Sequence, residues 1–399
     1  MLLKQTLILN FGKEQTLKTD AKLMPEIRYK INPDRTKPWN ELPDLPIAES
    51  LYRNIPVFEQ LVLAKEALGK LQGRSIAISN PALLINSISL QEAKASSEIE
   101  NIFTTDDELY KSYSETMDEP PQGPVKEVLR YKEALWKGYE TVKRDGGFSQ
   151  AYFTETMQEI KQVDEGMRPP FAQTIILQGG TGPNAGKTVY TPPRGSKILE
   201  EKMENLCRFI NDDGAYPLDP VLKMAIGHFQ FEAIHPFRDG NGRTGRIFCI
   251  HVLTQKGILD MPILYLSRYI LSHKIDYYKV LEGVSQRGNW EAYLIFMLTA
   301  IHHTANLTYE KINRILAAKE ATQAEIIKQA NFKNPEQLVQ MIFNQPFSKV
   351  KHFTEKGIYA ENTARDYLNR LCTMGVLEKK NIQGHFYYFN TELGTVLGD

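Results

Sequence analysis

The sequence predicts a mainly α-helical protein with one projecting β-hairpin and a C-terminal winged-helix module. Apolar residues recur at spacings of three and four through much of the chain between positions 57 and 329, which is the period of helices that bury one face. Two β-prone runs flank a glycine-rich stretch near position 180, a pattern typical of a hairpin. Near the C-terminus, three short helical patterns precede two strand patterns, which is the winged-helix order.

Composition excludes several classes of protein. Of the 399 residues, 42% are hydrophobic and 24% are charged, so collagen-like, low-complexity and wholly disordered chains are ruled out. Lysine and arginine total 48, as do aspartate and glutamate, so any recognition of nucleic acid or phosphate has to be local. Three separated cysteines form no zinc or disulfide pattern and are typical of a reducing compartment. No apolar run is long enough to span a bilayer, and we expect a cytoplasmic protein without a membrane partner.

Changes in pattern divide the chain into five expected parts. In chain order these are an extended, proline-rich N-terminal arm, an N-terminal helical region, a denser helical domain, a linking helix and the winged helix, at residues 1–50, 51–120, 121–310, 311–330 and 331–399. Helices are expected from about 57, and then over 86–102, 125–144, 150–163, 196–212, 219–234, 242–256, 272–286, 289–329, 335–344, 347–356 and 361–374. Proline is excluded from helix interiors, which favours an extended arm before the first helix.

The segment from His235 to Arg246, HPFRDGNGRTGR, combines four chemical roles. Its glycine-rich turn leads into a helix, so backbone N–H groups and the positive end of the helix dipole converge on a point that suits phosphate. Arg243 and Arg246 share the first turn of that helix. Asp239 offers a hard oxygen ligand for Mg²⁺, and His235 is the natural general base. Each feature alone is commonly structural, but together they predict phosphoryl or nucleotidyl transfer.

This segment resembles the signature of Fic-domain proteins, H-P-F-x-[DE]-G-N-G-R-x-x-R, at every specified position. The resemblance extends over about 120–310 and implies a Fic-type helical bundle with a β-hairpin flap. It implies transfer of AMP from ATP to a Ser, Thr or Tyr hydroxyl of a protein, with release of pyrophosphate. His235 would take the hydroxyl proton, Asp239 would hold Mg²⁺, and Arg246 would bind the γ-phosphate. The expected nucleotide contacts of the signature are Gly240, Asn241, Gly242, Arg243, Thr244, Gly245 and Arg246.

The predicted hairpin resembles the flap of Fic proteins, whose edge pairs with the backbone of the target protein. The matching positions are Thr188, Val189, Tyr190 and Thr191. A phosphate-binding loop is the alternative interpretation of the adjacent GPNAGKT segment. However, only three residues separate Gly182 from Gly186 where that motif needs four, and the VYTPP that follows cannot begin a helix.

The upstream segment SSEIEN has two interpretations. Ser96 and Glu100 are four residues apart and share a helix face, as in any solvated helix end. The segment also resembles the inhibitory motif of the Fic family, [ST]-x-x-x-E-[GN], at Ser96, Glu100 and Asn101. That resemblance implies that Glu100 pairs with Arg246 and denies the γ-phosphate its partner, since carboxylate and phosphate compete for the same guanidinium donors. It places the chain in the class whose inhibitory helix precedes the signature.

Two other features also keep two interpretations. Tyr277 lies where related proteins place a residue that contacts the nucleotide, but its spacing also suits a core aromatic. Residues 331–399 carry eight basic and seven acidic residues, a balance too even for strong attraction to nucleic acid. Contact with DNA and docking or dimerisation with protein therefore both stay open for this module.

Three functions remain after this comparison. The first is a self-inhibited protein adenylyltransferase that uses ATP, Mg²⁺ and a protein substrate. The second is a Fic-fold enzyme that removes AMP or transfers another phosphate-containing group. The third is an ATP-sensing, winged-helix regulator that binds DNA. A homodimer is common among Fic proteins, but the sequence leaves the oligomeric state and the target protein open.

Overall fold

The computed structural model describes residues 29–76, 82–115, 122–177, 179, 185–329, 332–355, 357–382 and 385–398. The first 28 positions of the expected N-terminal arm and residues 182–184 of the GPNAGKT segment lie outside the described residues. The helices of the described chain are α1 (Ile55–Ile76), α2 (Ala82–Ile99), α3 (Asp106–Glu115), α4 (Gly123–Asp145), α5 (Gln150–Lys161), α6 (Ile198–Asn211), α7 (Pro220–Ile234), α8 (Asn241–Gln255), α9 (Leu266–Ser272), α10 (Lys274–Arg287), α11 (Trp290–Gln329), α12 (Pro335–Ile342), α13 (Val350–Thr354), α14 (Glu361–Thr373) and α15 (Thr391–Gly398).

A central pair of helices, α7 and α8, organises the bundle. Nearly every residue of both helices is buried, as expected of helices that are surrounded on all sides. Helices α4 and α5 pack against α8, helices α6 and α11 pack against α7, and α1 lies along α11. The loop that joins α7 to α8 is the HPFRDG segment, so the signature is held by two deeply buried helices.

The expected hairpin is present and short. Strand β1 (Ile176–Leu177) pairs antiparallel with β2 (Thr188–Tyr190). The described part of the arm lies against the end of this hairpin, because the Trp39 N–H donates to the carbonyl of Thr191 over 3.1 Å. The Trp39 ring is buried in the core of the bundle. This part of the arm is thus packed beside the flap.

The C-terminal part contains the expected three helices and hairpin, α12, α13, α14, β4 (Leu377–Ile382) and β5 (His385–Asn390). A further strand, β3 (Phe347–Ser348), adds to the hairpin and gives the strand order β3-β5-β4. Helix α15 follows the hairpin and packs on α11 and α2. The buried Lys311 ammonium of α11 donates to the carbonyl of Val396 over 2.9 Å, where a cation complements the helix dipole.

Helix α11 runs without a break from Trp290 to Gln329, as expected for the helical pattern over 289–329. Three short helices differ from the pattern expected from the sequence. Helices α3, α9 and α15 were not expected; each is ten residues or fewer, which is too short for a clear helical period. Within the described residues, no helix combines the length and hydropathy that a membrane span requires.

Candidate active site

The loop between α7 and α8 has a fixed shape that follows from its sequence. His235 ends α7 in the left-handed conformation, with φ of 50°, and Gly240 begins α8 with φ of 84°. The Asn241 side chain accepts from the Phe237 N–H and donates to the Phe237 carbonyl, both over 2.9 Å. The side chain of Asn241 therefore shapes the loop that leads into α8, whose first N–H groups have no partner within the helix.

His235 is the first residue of this loop, and its imidazole is neutral. Burial, together with the nearby Arg168 guanidinium, lowers the pKa of His235 to about 4. Its buried Nδ1 atom has no hydrogen-bond partner among the described residues. The imidazole is therefore uncharged at neutral pH and can accept a proton.

Arg168 is a positioning residue that the sequence did not reveal. Its Nε donates to the His235 carbonyl over 2.8 Å, and its Nη2 donates to the Pro193 carbonyl over 2.5 Å. The Tyr190 hydroxyl of β2 donates to the Ala233 carbonyl of α7 over 2.7 Å. These hydrogen bonds hold the flap against the loop that carries His235. Arg168 is 67 residues from His235 in sequence, so no local motif indicated this contact.

Arg246 is held by the predicted inhibitory segment. The guanidinium is 1% exposed, and its Nη2 donates to Glu100 Oε1 over 2.8 Å. Its Nε donates to Ser96 Oγ over 2.8 Å, and Nη2 also donates to the Ser96 carbonyl over 2.9 Å. Burial opposes the charge of Arg246, but the Glu100 carboxylate together with the nearby Tyr131 and Tyr277 keeps the pKa of Arg246 above its usual value. The structure thus brings Ser96, Glu100 and Arg246 together.

Asn101 acts through the backbone. Helix α2 ends at Ile99, earlier than the expected end at 102, and Asn101 adopts φ of 62°. The Ile102 N–H then bonds back to the Ser97 carbonyl over 3.0 Å, which closes the helix in the manner of a left-handed C-cap. Glycine and asparagine are the residues that tolerate this conformation, which explains the [GN] position of the motif.

Two glycines of α8 allow carboxylates to approach Arg246. A Cβ on Gly242 would lie 2.5 Å from Glu100 Oε1 and 2.9 Å from Arg246 Nη1, and a Cβ on Gly245 would overlap Glu232 Oε1. That oxygen of Glu232 is buried without a hydrogen-bond partner among the described residues. Burial raises the pKa of Glu232 to about 7. Thr244, between the two glycines, is fully buried.

A second buried carboxylate lies on the same stripe of α2. Glu92 is one turn before Ser96, and its carboxylate accepts from the Ser267 N–H over 2.8 Å, the Ser267 hydroxyl over 2.5 Å and the Tyr131 hydroxyl over 3.0 Å. Burial raises the pKa of Glu92 to about 7 in spite of these three donors. Glu92 therefore ties helix α2 to α4 and α9.

Two further ion pairs lie at the start of α8. Arg243 Nη1 donates to Glu127 Oε2 over 2.9 Å. Asp239 accepts from the Gly240 N–H and from the Lys161 ammonium, each over 2.6 Å. Partial burial opposes the charge of Asp239, but these two donors hold its pKa below the usual value.

A divalent cation would fit beside Asp239 only if water or substrate supplied further oxygen ligands. Asp239 is an exposed carboxylate, and the described residues contain no group of three metal-ligating side chains. Mg²⁺ commonly takes one or two carboxylates and completes its shell with water and substrate phosphates. Asp239 beside a phosphate cradle is consistent with that arrangement.

Tyr277 is a buried core aromatic residue in this structure. Its ring is 2% exposed, and its hydroxyl bonds to His228 Nε2 over 2.7 Å, so stacking on a nucleotide is not available to it in this structure. The neighbouring Tyr278 is 44% exposed and lies within electrostatic reach of Glu100 and Arg246. Tyr278 is the ring of this pair that reaches solvent beside the site.

Comparison with family models assigns most of the chain. The Fic/DOC family N-terminal model matches residues 58–140, the Fic/DOC family model matches residues 143–253, and the model of the protein adenylyltransferase SoFic-like C-terminal domain matches residues 318–393.

Curated relatives carry adenylyltransferase names. A probable protein adenylyltransferase of Aquifex aeolicus is 27% identical over 172 residues, which cover 39% of this chain and 52% of the relative. The protein adenylyltransferase Fic of Aedes aegypti is 29% identical over 118 residues, or 30% of this chain and 22% of the relative. The chain thus spans about half the length of the bacterial relative and less of the insect one.

Solved structures share the fold. A Fic family protein from Desulfovibrio desulfuricans superposes with a TM-score of 0.53 at 18% identity, covering 88% of this chain and 98% of that one. A Fic-domain signalling protein from Bacteroides thetaiotaomicron gives a TM-score of 0.50 at 15% identity, covering 63% and 97%. These structures share the fold of the chain. The family models place Fic/DOC family domains at residues 58–140 and 143–253, and the second contains the signature loop between α7 and α8.

Proposed function

We propose that this chain is a self-inhibited protein adenylyltransferase that moves AMP from ATP to a hydroxyl group of a protein. The observation that carries the proposal is the pairing of Arg246 with Glu100 and Ser96 beside the His235 loop. The names of the relatives support the reaction. The alternative in which the same cleft removes AMP or transfers another phosphate-containing group is separated from this one by the intact mass of the product.

His235 is the proposed general base. The hydroxyl oxygen of the target bonds to the α-phosphorus, the bond from that phosphorus to the bridging oxygen breaks, and pyrophosphate leaves. The hydroxyl proton passes to the neutral imidazole of His235. The negative charge of bound phosphates raises the pKa of the imidazole towards the working range.

The start of α8 is the proposed phosphate site. Backbone N–H groups from Gly240 to Gly242 and the guanidinium of Arg243 bind the α- and β-phosphates, where they stabilise charge in the transition state. Asp239 holds Mg²⁺, which neutralises phosphate charge when bound. Tyr278 is the proposed aromatic contact of the nucleotide. Thr188–Thr191 are proposed to align the backbone of the target protein.

Self-inhibition follows from competition for one guanidinium. Arg246 is buried, and its hydrogen bonds are made to Glu100 and Ser96. A γ-phosphate that approaches the same donors has to displace the Glu100 carboxylate. Nucleotide therefore binds in a position unsuited to attack until Glu100 moves away.

We also propose the domain bounds given above, a winged helix at the C-terminus and a cytoplasmic location. The DNA-binding alternative gains little support from helix α14, the expected recognition helix. Arg365 pairs with Glu361 over 2.6 Å, and Arg370 lies 3.6 Å from Asp366. These arginines are neutralised within their own helix, which favours a protein-docking role for the module.

Transfer of label from α-³²P-labelled ATP tests the proposal. Glu100→Gly should raise labelling of protein well above the wild-type level, and the double variant with His235→Ala should lose it. Glu98→Ala is the control, because it removes a carboxylate from the last turn of α2 without weakening the helix, and it should stay at the wild-type level. Unchanged labelling with Glu100→Gly would remove self-inhibition from the proposal.

A further inference from the structure

The other signature arginine, Arg243, is also occupied by a carboxylate. Its guanidinium is 2% exposed and donates to Glu127 over 2.9 Å, while its Nε has no partner among the described residues. Glu127 belongs to α4, whereas Glu100 follows α2 on another wall of the cleft. The two arginines are therefore paired by carboxylates from two different segments of the chain.

A second cation lies within reach of Glu127. Lys161 Nζ is 3.9 Å from Glu127 Oε2 and 2.6 Å from Asp239 Oδ2. The four charges alternate in sign from Arg243 through Glu127 and Lys161 to Asp239. The Glu127 side chain is 40% exposed, so it can move in solvent, while Arg243 is fixed in the core.

We infer that Glu127 competes with the nucleotide phosphates for Arg243, and that Lys161 receives Glu127 when nucleotide and cation bind. The identity of the ligand as a nucleotide rests on the proposed function. Glu127 would thus oppose nucleotide binding at the α- and β-phosphates, separately from the Glu100 contact at the γ-phosphate position.

The exchange of partners keeps every buried charge paired. If Asp239 held a divalent cation, Lys161 would lose Asp239 as a partner, and Glu127, 3.9 Å from Lys161 Nζ, would be its remaining carboxylate. Phosphate oxygens replace Glu127 on Arg243, so the buried guanidinium retains an anion throughout. A buried Arg243 guanidinium without an anion would be costly. Glu127 therefore pairs with Arg243 when no nucleotide is bound, and Glu127 pairs with Lys161 when nucleotide is bound.

Calorimetry with ADP and Mg²⁺ isolates this competition, because ADP lacks the γ-phosphate that Glu100 opposes. Glu127→Gln keeps the shape of the side chain and removes its charge. We expect it to lower the Kd for ADP about threefold to tenfold, the effect of a partly exposed ion pair. The difference should shrink at high salt. Glu133→Gln is the matched control on α4, since Glu133 pairs with Arg130 over 2.6 Å, and should leave the Kd unchanged.

A double-variant cycle tests the part assigned to Lys161. Lys161→Met preserves the stem that packs near Gly240. Without Lys161, Glu127 has no alternative cation, so ADP should bind severalfold more weakly. In the Glu127→Gln background the same change should have a smaller effect. The general loss of positive charge occurs in both backgrounds and cancels in the cycle.

The outcomes separate this inference from the proposed function. An unchanged or higher Kd for Glu127→Gln overturns the competition, and strictly additive effects overturn the role of Lys161. If that result accompanies AMP transfer by Glu100→Gly, only the inference fails. If ADP binds to none of the variants and Glu100→Gly transfers no AMP, the proposed function fails with it.

Discussion

At the scale of single residues, Ser96 and Ser97 of α2 contribute unequally to the contact with Arg246. Ser96 accepts a hydrogen bond from Arg246 Nε, whereas the equally buried Ser97 hydroxyl has no partner among the described residues. Ser96→Ala leaves a guanidinium N–H unpaired and should cost about 1–3 kcal/mol of unfolding free energy. It should also raise AMP transfer part of the way towards the Glu100→Gly level.

Ser97→Ala serves as the control for this experiment. Its unfolding free energy, measured by denaturant titration, and its AMP transfer should both match those of the wild type. Equal behaviour of the two alanine variants would mean that Ser96 contributes nothing to the inhibitory contact.

A second residue-scale prediction concerns pH and Glu92. The folded protein has a Glu92 pKa of about 7, while the ordinary value is 4.5. The unfolded chain therefore loses this proton first, so the stability due to this group is full below pH 4.5 and is lost as pH rises to about 7. The loss amounts to at most ~3 kcal/mol.

Glu92→Gln removes this titration. Its unfolding free energy should fall less than that of the wild type between pH 4.5 and 7, as measured by urea titration at several pH values. Glu133→Gln, at an exposed position of α4, should keep the wild-type slope. Parallel slopes for wild type and Glu92→Gln would contradict the raised pKa.

The residues of the signature could be located from sequence because their chemistry is contiguous along the chain. The inhibitory pair could be suggested only through a family motif, since nothing local indicates which arginine Glu100 meets. Glu127, Lys161 and Arg168 could not be found at all. Each acts on the signature from another helix or loop, and none lies in a pattern that differs from an ordinary solvated surface.

At the scale of elements, the end of α2 sets where the inhibitory carboxylate lies. The left-handed residue Asn101 turns the chain directly after Glu100. Asn101→Gly should keep this geometry, whereas Asn101→Val should cost about 1–2 kcal/mol because a β-branched residue resists positive φ. Valine should therefore raise AMP transfer, and glycine should leave it near the wild-type level.

Thermal unfolding and label transfer measured on both variants check this prediction. If Asn101→Val and Asn101→Gly show the same level of AMP transfer, the cap at Asn101 does not position Glu100.

Most of the helices could be predicted as elements, because their apolar spacing is regular over three or more turns. Their ends shifted where a cap decides the boundary, as at α2, whose last residue is Ile99. Strand β3 has only two residues, and its pairing with β5 is a tertiary contact that its own sequence does not encode.

At the scale of the whole molecule, the C-terminal part supports the inhibitory helix. Leu90 and Ala93 of α2 share a hydrophobic cluster with Leu393 of α15, and the two helices pack together. Leu393→Ala should cost about 2–5 kcal/mol of stability and loosen α2, so AMP transfer should rise at temperatures where the protein stays folded.

Leu377→Ala controls for general destabilisation. Leu377 is buried in the same cluster but belongs to β4, which lies in the sheet of the C-terminal part. It should lower the unfolding free energy without raising transfer. Equal release by both variants would show that the effect comes from instability rather than from contact with α2.

The longest helix has a geometric consequence for the whole protein. Helix α11 has 40 residues and, at about 1.5 Å per residue, extends for roughly 60 Å. Its first half packs with α7 and its second half with the C-terminal part. One continuous helix therefore joins the bundle that carries the His235 loop to the C-terminal part, so a target protein docked on that part, as proposed, would be held in a fixed relation to the loop.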